Sequence, residues 1–135
     1  MTALSQARQP IEIEGKTGTA PVKGATTIWQ GALVVADSAL AVPGKTATGL
    51  IVLGVAEETT KNAGADGAAK VKFRRGTFDF SNSASTDEIT AGDIGKDAYI
   101  VDDQTVAKTS GSSTRSVAGK IMHIEGGRIF VRVGF

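Results

Sequence analysis

The sequence predicts an all-β fold, a small glycine-rich β-barrel or β-sandwich with an extended N-terminal arm. Three observations lead there. Strand-length apolar or alternating runs recur at regular intervals with turn residues between them. No stretch longer than about ten residues carries apolar side chains at helical spacing. The C-terminus contains a readable hairpin, in which Glu125-Gly126-Gly127-Arg128 separates two alternating runs.

Residues 1–26 hold few large apolar side chains and are punctuated by Pro10, Gly15, Gly18, Pro21 and Gly24. Ordering such a segment costs chain entropy and offers little burial in return, so 1–26 is predicted as the arm and 27–135 as the β domain. Within the arm, Ile11-Glu12-Ile13-Glu14 alternates as a strand does, and two roles stay open. It either adds to the edge of a partner's sheet or forms the first strand of the domain. Thr27 to Ala36 is β-rich, and after Asp37-Ser38 a second apolar piece runs from Ala39 to Val42. Leu50 to Val55 is nearly continuous in apolar residues, which predicts a strand buried on both faces. Thr59 to Gly67 reads as a loop.

From Ala69 to Phe80, Val71 and Phe73 alternate with Lys70, Lys72 and Arg74, and Arg75-Gly76 interrupts the register at a bulge or bend. Thr86-Asp87-Glu88 is predicted to cap one short helical turn ending near Gly92. Tyr99-Ile100-Val101 then reads as a strand reversed by Asp102-Asp103-Gln104 into Thr105-Val106-Ala107. For the last hairpin, a two-residue Gly126-Gly127 turn sets Glu125 opposite Arg128, Ile124 opposite Ile129 and Met122 opposite Val131. The other face then pairs His123 with Phe130 and Ile121 with Arg132, a mixed surface suited to contact with a neighbour.

Composition narrows the function. A chain of 135 residues with 41% hydrophobic and 21% charged residues has room for one core. A net charge of +1 supplies no global field to attract nucleic acid or an anionic membrane. Cysteine is absent, which removes disulfides, thiolate ligands and cysteine nucleophiles together. The start lacks the unbroken apolar core of a secretory signal, and the longest apolar run is too short to cross a bilayer. No membrane partner is therefore expected.

The chemical motifs are weak. Gly44-Lys45-Thr46 resembles the end of a phosphate loop, but the first glycine of that motif falls on Ala39 and a strand-like run follows. His123 is the single histidine, in strand context with no cysteine or second histidine available. The serines of Ser110 to Ser116 read as a solvated loop, without a nucleophile elbow. Asp87, Glu88, Asp93, Asp97, Asp102 and Asp103 do not follow calcium-loop spacing and read as turn formers. No catalytic residue, metal or cofactor is expected. The strongest competing signal is the basic and aromatic run Lys70 to Phe80, which admits a nucleic-acid-binding β-barrel using Lys70 to Arg75. The phenylalanines of that run read better as core.

The order of segments GALVVADSALAVPG, GLIVLGVAEE, KVKFRRGTFDF, AGDIGKDAYIVDDQTVAKT and AGKIMHIEGGRIFVRV, spanning about Trp29 to Phe135, resembles the cement, or head decoration, proteins of tailed-bacteriophage capsids. That resemblance implies a β-tulip-like, non-enzymatic virion component. It implies binding to the outer surface of the assembled major capsid protein, often as a homotrimer that bridges adjacent subunits. It assigns no contact residues. On physical grounds, Ile11 and Ile13 are the natural anchors of an arm that orders on binding, and Trp29 is either an interface hot spot or a core residue.

Overall fold

The structure is a computed structural model that describes residues 2–135. Twelve strands account for nearly all of its regular structure: β1 (Thr17–Pro21), β2 (Thr26–Ile28), β3 (Leu33–Asp37), β4 (Leu40–Pro43), β5 (Ile51–Ala56), β6 (Thr60–Asn62), β7 (Lys70–Arg74), β8 (Gly76–Ser81), β9 (Asp97–Ile100), β10 (Val106–Ala107), β11 (Val117–Glu125) and β12 (Arg128–Val133). They form two five-stranded antiparallel sheets, ordered β1-β7-β5-β3-β4 and β10-β9-β11-β12-β8, with β2 and β6 paired separately. The all-β prediction holds.

Both sheets curl. In the first, Val22 just beyond β1 bridges Ala41 of β4, so the two edges approach at one end. In the second, Ser81 of β8 bridges Thr105 beside β10. The inner faces meet in one core, where Leu33, Val35 and Val42 pack with Ile100, Ile121, Ile129 and Val131. A second core lies on the other face of the first sheet and joins Val22, Ile28, Val34, Val71 and Phe73. The strand buried on both faces is therefore β3, whose Leu33, Val34 and Val35 are fully buried. Each contributes roughly 1.5–3 kcal/mol of transfer free energy. The expectation that β5 would hold that position fails at Ile51, which is 67% exposed.

The predicted arm boundary also moves. Thr17 to Pro21 pairs with Arg74 to Lys70, and Val22 is in the core, so the domain starts at Thr17 and the described arm comprises residues 2–16. Small residues hid this strand: on the side facing the second core β1 presents only Gly18 and Ala20, and the ring of Phe73 covers Gly18. Ile11 to Glu14 is unpaired in this structure. The predicted loop Thr59 to Gly67 contains β6, and the single predicted helical turn is two 3₁₀ turns, Ser85–Asp87 and Ala91–Asp93.

The final hairpin keeps its predicted register only near the turn. Glu125 faces Arg128 and Ile124 faces Ile129, but a bulge between Ile121 and His123 sets Ile121 opposite Val131 and Lys120 opposite Arg132. A second bulge lies between Val117 and Gly119. Ala118 and Ile121 are buried and Ile124 is partly buried, a spacing of three that an unbulged strand cannot produce. Met122 is turned outward. Gly119 is required by close approach, since a Cβ there would sit 1.9 Å from the Arg132 carbonyl oxygen.

Candidate interaction surfaces

The residues singled out from the sequence occupy two separate places. Ile11 and Ile13 are 95% and 77% exposed on the extended arm. The arm leaves the domain at a fixed point: Arg75 donates from Nη1 to the Gly15 carbonyl at 2.8 Å and from its backbone N–H to the Lys16 carbonyl at 2.7 Å. Trp29 follows β2 and is 57% exposed, which removes the core alternative for it. Its ring carries the Lys61 ammonium 5.5 Å from the centroid. Trp29, Gln30, Gly31, Ala32, Asp103 and Gln104 line an open concavity of about 320 Å³. Neither arm isoleucine enters it. Burial, and after it the adjacent Asp102 charge, push the Asp103 carboxyl above the usual range.

The basic run divides by face. Lys70, Lys72 and Arg74 point outward on β7, while Val71 and Phe73 are buried. Arg74 pairs with Glu57 at 2.9 Å. Phe80 is 2% exposed, and the Arg75 guanidinium lies 5.1 Å from the Phe73 ring centre. The phenylalanines of this run thus serve the core, and the cationic face has no exposed ring of its own on which a base could stack.

The weak chemical motifs resolve into structural roles. Lys45 pairs with Asp37 at 2.7 Å, and the Thr46 hydroxyl donates to the Val101 carbonyl, so the Gly-Lys-Thr segment is a pinned turn between strands. His123 packs against Phe130 with ring centroids 5.6 Å apart and faces Glu125 at 3.8 Å. Asp93 is 3% exposed and accepts the Thr90 backbone N–H at 2.9 Å, closing a capping box. That hydrogen bond, helped by Lys108 and Lys96 at 3.8 Å each, holds its carboxyl below the usual range. Asp87 is lowered likewise, first by the Thr109 hydroxyl and then by Arg115. Asp102 accepts the Gln104 N–H at 2.9 Å and shapes its own turn.

One surface was not foreseen in this form. On the outer side of the second sheet, Asp97, Val117, Gly119, Lys120, Arg132 and Phe135 line another concavity of about 320 Å³. Arg132 stacks over Phe135 at 4.4 Å, and Phe135 is 74% exposed. Met122 stands outward on β11, 48% exposed, because of the bulge. The mixed outer face was legible from the alternation of β11 and β12, but its membership was not, since the two bulges reassign Met122 and Ile121.

Compared with known protein families, with curated proteins and with solved structures, the chain matches none.

Proposed function

We propose that this protein is a non-enzymatic binding module, a capsid cement protein that docks on the outer surface of an assembled major-capsid shell and bridges adjacent subunits. The observation that carries the reading is the division of labour along the chain. A doubly cored β domain leaves a polar arm outside it with two exposed isoleucines. Exposed large apolar side chains on a segment without structure of its own are suited to ordering on a partner. Trp29, a single amphipathic ring at the lip of a concavity, adds a second anchor on another part of the surface. Two anchors on one small body can span a junction between subunits, and assembly as a homotrimer multiplies weak contacts into avidity. The finer identity, a phage head protein, rests on the order of segments described above.

The nucleic-acid alternative has only the outward face of β7 in its favour, and that face lacks a stacking ring. Co-sedimentation separates the two readings. The protein is expected to pellet with intact shells of its cognate major capsid protein and to stay in the supernatant with free DNA. Pelleting with DNA but not with shells would reverse the assignment.

A further inference from the structure

The open edge of β1 and the arm that precedes it match each other residue by residue. In β1 the even positions bond to β7: Arg75 N–H donates to the Lys16 carbonyl at 2.7 Å and Val22 N–H to the Ala69 carbonyl at 2.9 Å. Alternation in an antiparallel ladder then points the backbone groups of Thr17 and Thr19 to the other side, where no strand lies. Further along, that side is taken: Lys23 N–H donates to the Ala41 carbonyl of β4 at 3.1 Å, and Pro21 has no N–H to offer. The vacant edge is thus short.

We propose that this edge is a strand-docking site and that its occupant is Ile11 to Glu14 of the same chain, folded back through Gly15-Lys16 as a two-residue hairpin turn. Gly15 has φ +82°, the sign required at the first central position of a type II′ turn, and Arg75 already pins both turn carbonyls to the domain. A two-residue turn makes Glu14 and Thr17 a hydrogen-bonded pair, in agreement with the outward backbone groups of Thr17. It places Ile13 opposite Gly18, Glu12 opposite Thr19 and Ile11 opposite Ala20. Both isoleucines then fall on the side of Gly18, Ala20 and Phe73 and extend the second core. Both glutamates fall on the opposite side, in rows that continue to Arg74 and Lys72 of β7. A slip of one residue would exchange the faces. Pro10 ends the segment where β4 takes over the edge.

Docking in the same chain is favoured over exchange between copies because the turn is two residues long and already held, so the local concentration of the segment far exceeds that of a second molecule. A docked arm removes Ile11 and Ile13 from the surface, so any partner that takes the arm has to release it from β1. The site stands independently of what that partner is.

The chain has no cysteine, so disulfide trapping reads the register directly. Glu12→Cys with Thr19→Cys joins a predicted hydrogen-bonded pair, with Cα atoms about 5.5 Å apart, inside the range a disulfide spans. Both positions are exposed, so the fold is not at risk. Under mild oxidation of dilute protein, this pair is expected to close within one chain at least about tenfold faster than the off-face pair Ile11→Cys with Thr19→Cys. Equal rates for the two pairs, failure of both to close, or disulfide-linked dimers as the main product would each overturn the proposal.

Discussion

Ile121→Ala and Met122→Ala, made side by side, test the bulge that shapes the outer face of the second sheet. Ile121 is 1% exposed and Met122 is 48% exposed. Truncating a buried isoleucine to alanine costs about 2–5 kcal/mol through lost transfer energy and the cavity left behind. Met122 gives up at most about 1 kcal/mol, since half of its surface is already in water. Unfolding entropy near 2.1 cal/mol/K per residue amounts to about 0.28 kcal/mol/K for this chain, so a 3 kcal/mol loss lowers Tm by about 11 °C and a 1 kcal/mol loss by under about 4 °C. Thermal unfolding followed by far-UV circular dichroism, with urea midpoints as a check, measures both. A larger loss for Met122→Ala would mean that β11 runs unbulged with Met122 opposite Val131, and the described face would be wrong.

The other predictions follow from the same geometry. Deleting residues 2–14 should leave the domain cooperatively folded and abolish most shell binding, whereas deleting 1–26 removes β1 and Val22 and should destroy cooperative unfolding; a stably folded 27–135 fragment would contradict a domain that starts at Thr17. Gly119→Ala should destabilise by at least about 2 kcal/mol, because its Cβ meets a carbonyl that belongs to the neighbouring strand; urea titration decides, and a neutral result would refute the close approach. Asp93 has a folded pKa below its unfolded value, so its contribution is present above about pH 3.8 and is lost as pH falls through the lower folded value; Asp93→Asn should flatten the decline of stability with acid, and an unchanged profile would contradict this. Asp103 is raised and has the opposite sign, so Asp103→Asn should be neutral or slightly stabilising at pH 7. Replacing Lys70, Lys72 and Arg74 with glutamine should leave shell binding intact, and the native protein should show no salt-sensitive affinity for single-stranded DNA in a labelled-oligonucleotide titration.

Much of the fold was legible because turn residues and alternation agree. The Lys70 to Arg74 strand, the Gly126-Gly127 turn and the Tyr99 to Ala107 reversal follow the pattern expected of them. What was missed has physical causes. β1 has the composition of an arm because Gly18 and Ala20 give no apolar signal, and its packing comes from the Phe73 ring of the next strand. The β3-β4 turn uses Ser38 and Ala39 at φ +51° and +75°, left-handed positions that ordinarily advertise themselves with Gly or Asn. Bulges in β11 leave no residue signature beyond Gly119, so simple alternation gives Ile121 and Met122 the opposite faces to those they occupy. Of the candidate anchors, the exposure of Ile11 and Ile13 followed from the arm composition, while Trp29 needed the structure, because one tryptophan beside a strand is compatible with either side of a sheet.

The proposed bridging of capsid subunits is measured most directly by the disruption temperature of cognate capsid shells. Shells saturated with the full chain should withstand higher temperature than bare shells, with the gain rising with occupancy and then levelling off, and the version lacking residues 2–14 should recover little of it. Saturated shells that break at the same temperature as bare ones would contradict the account.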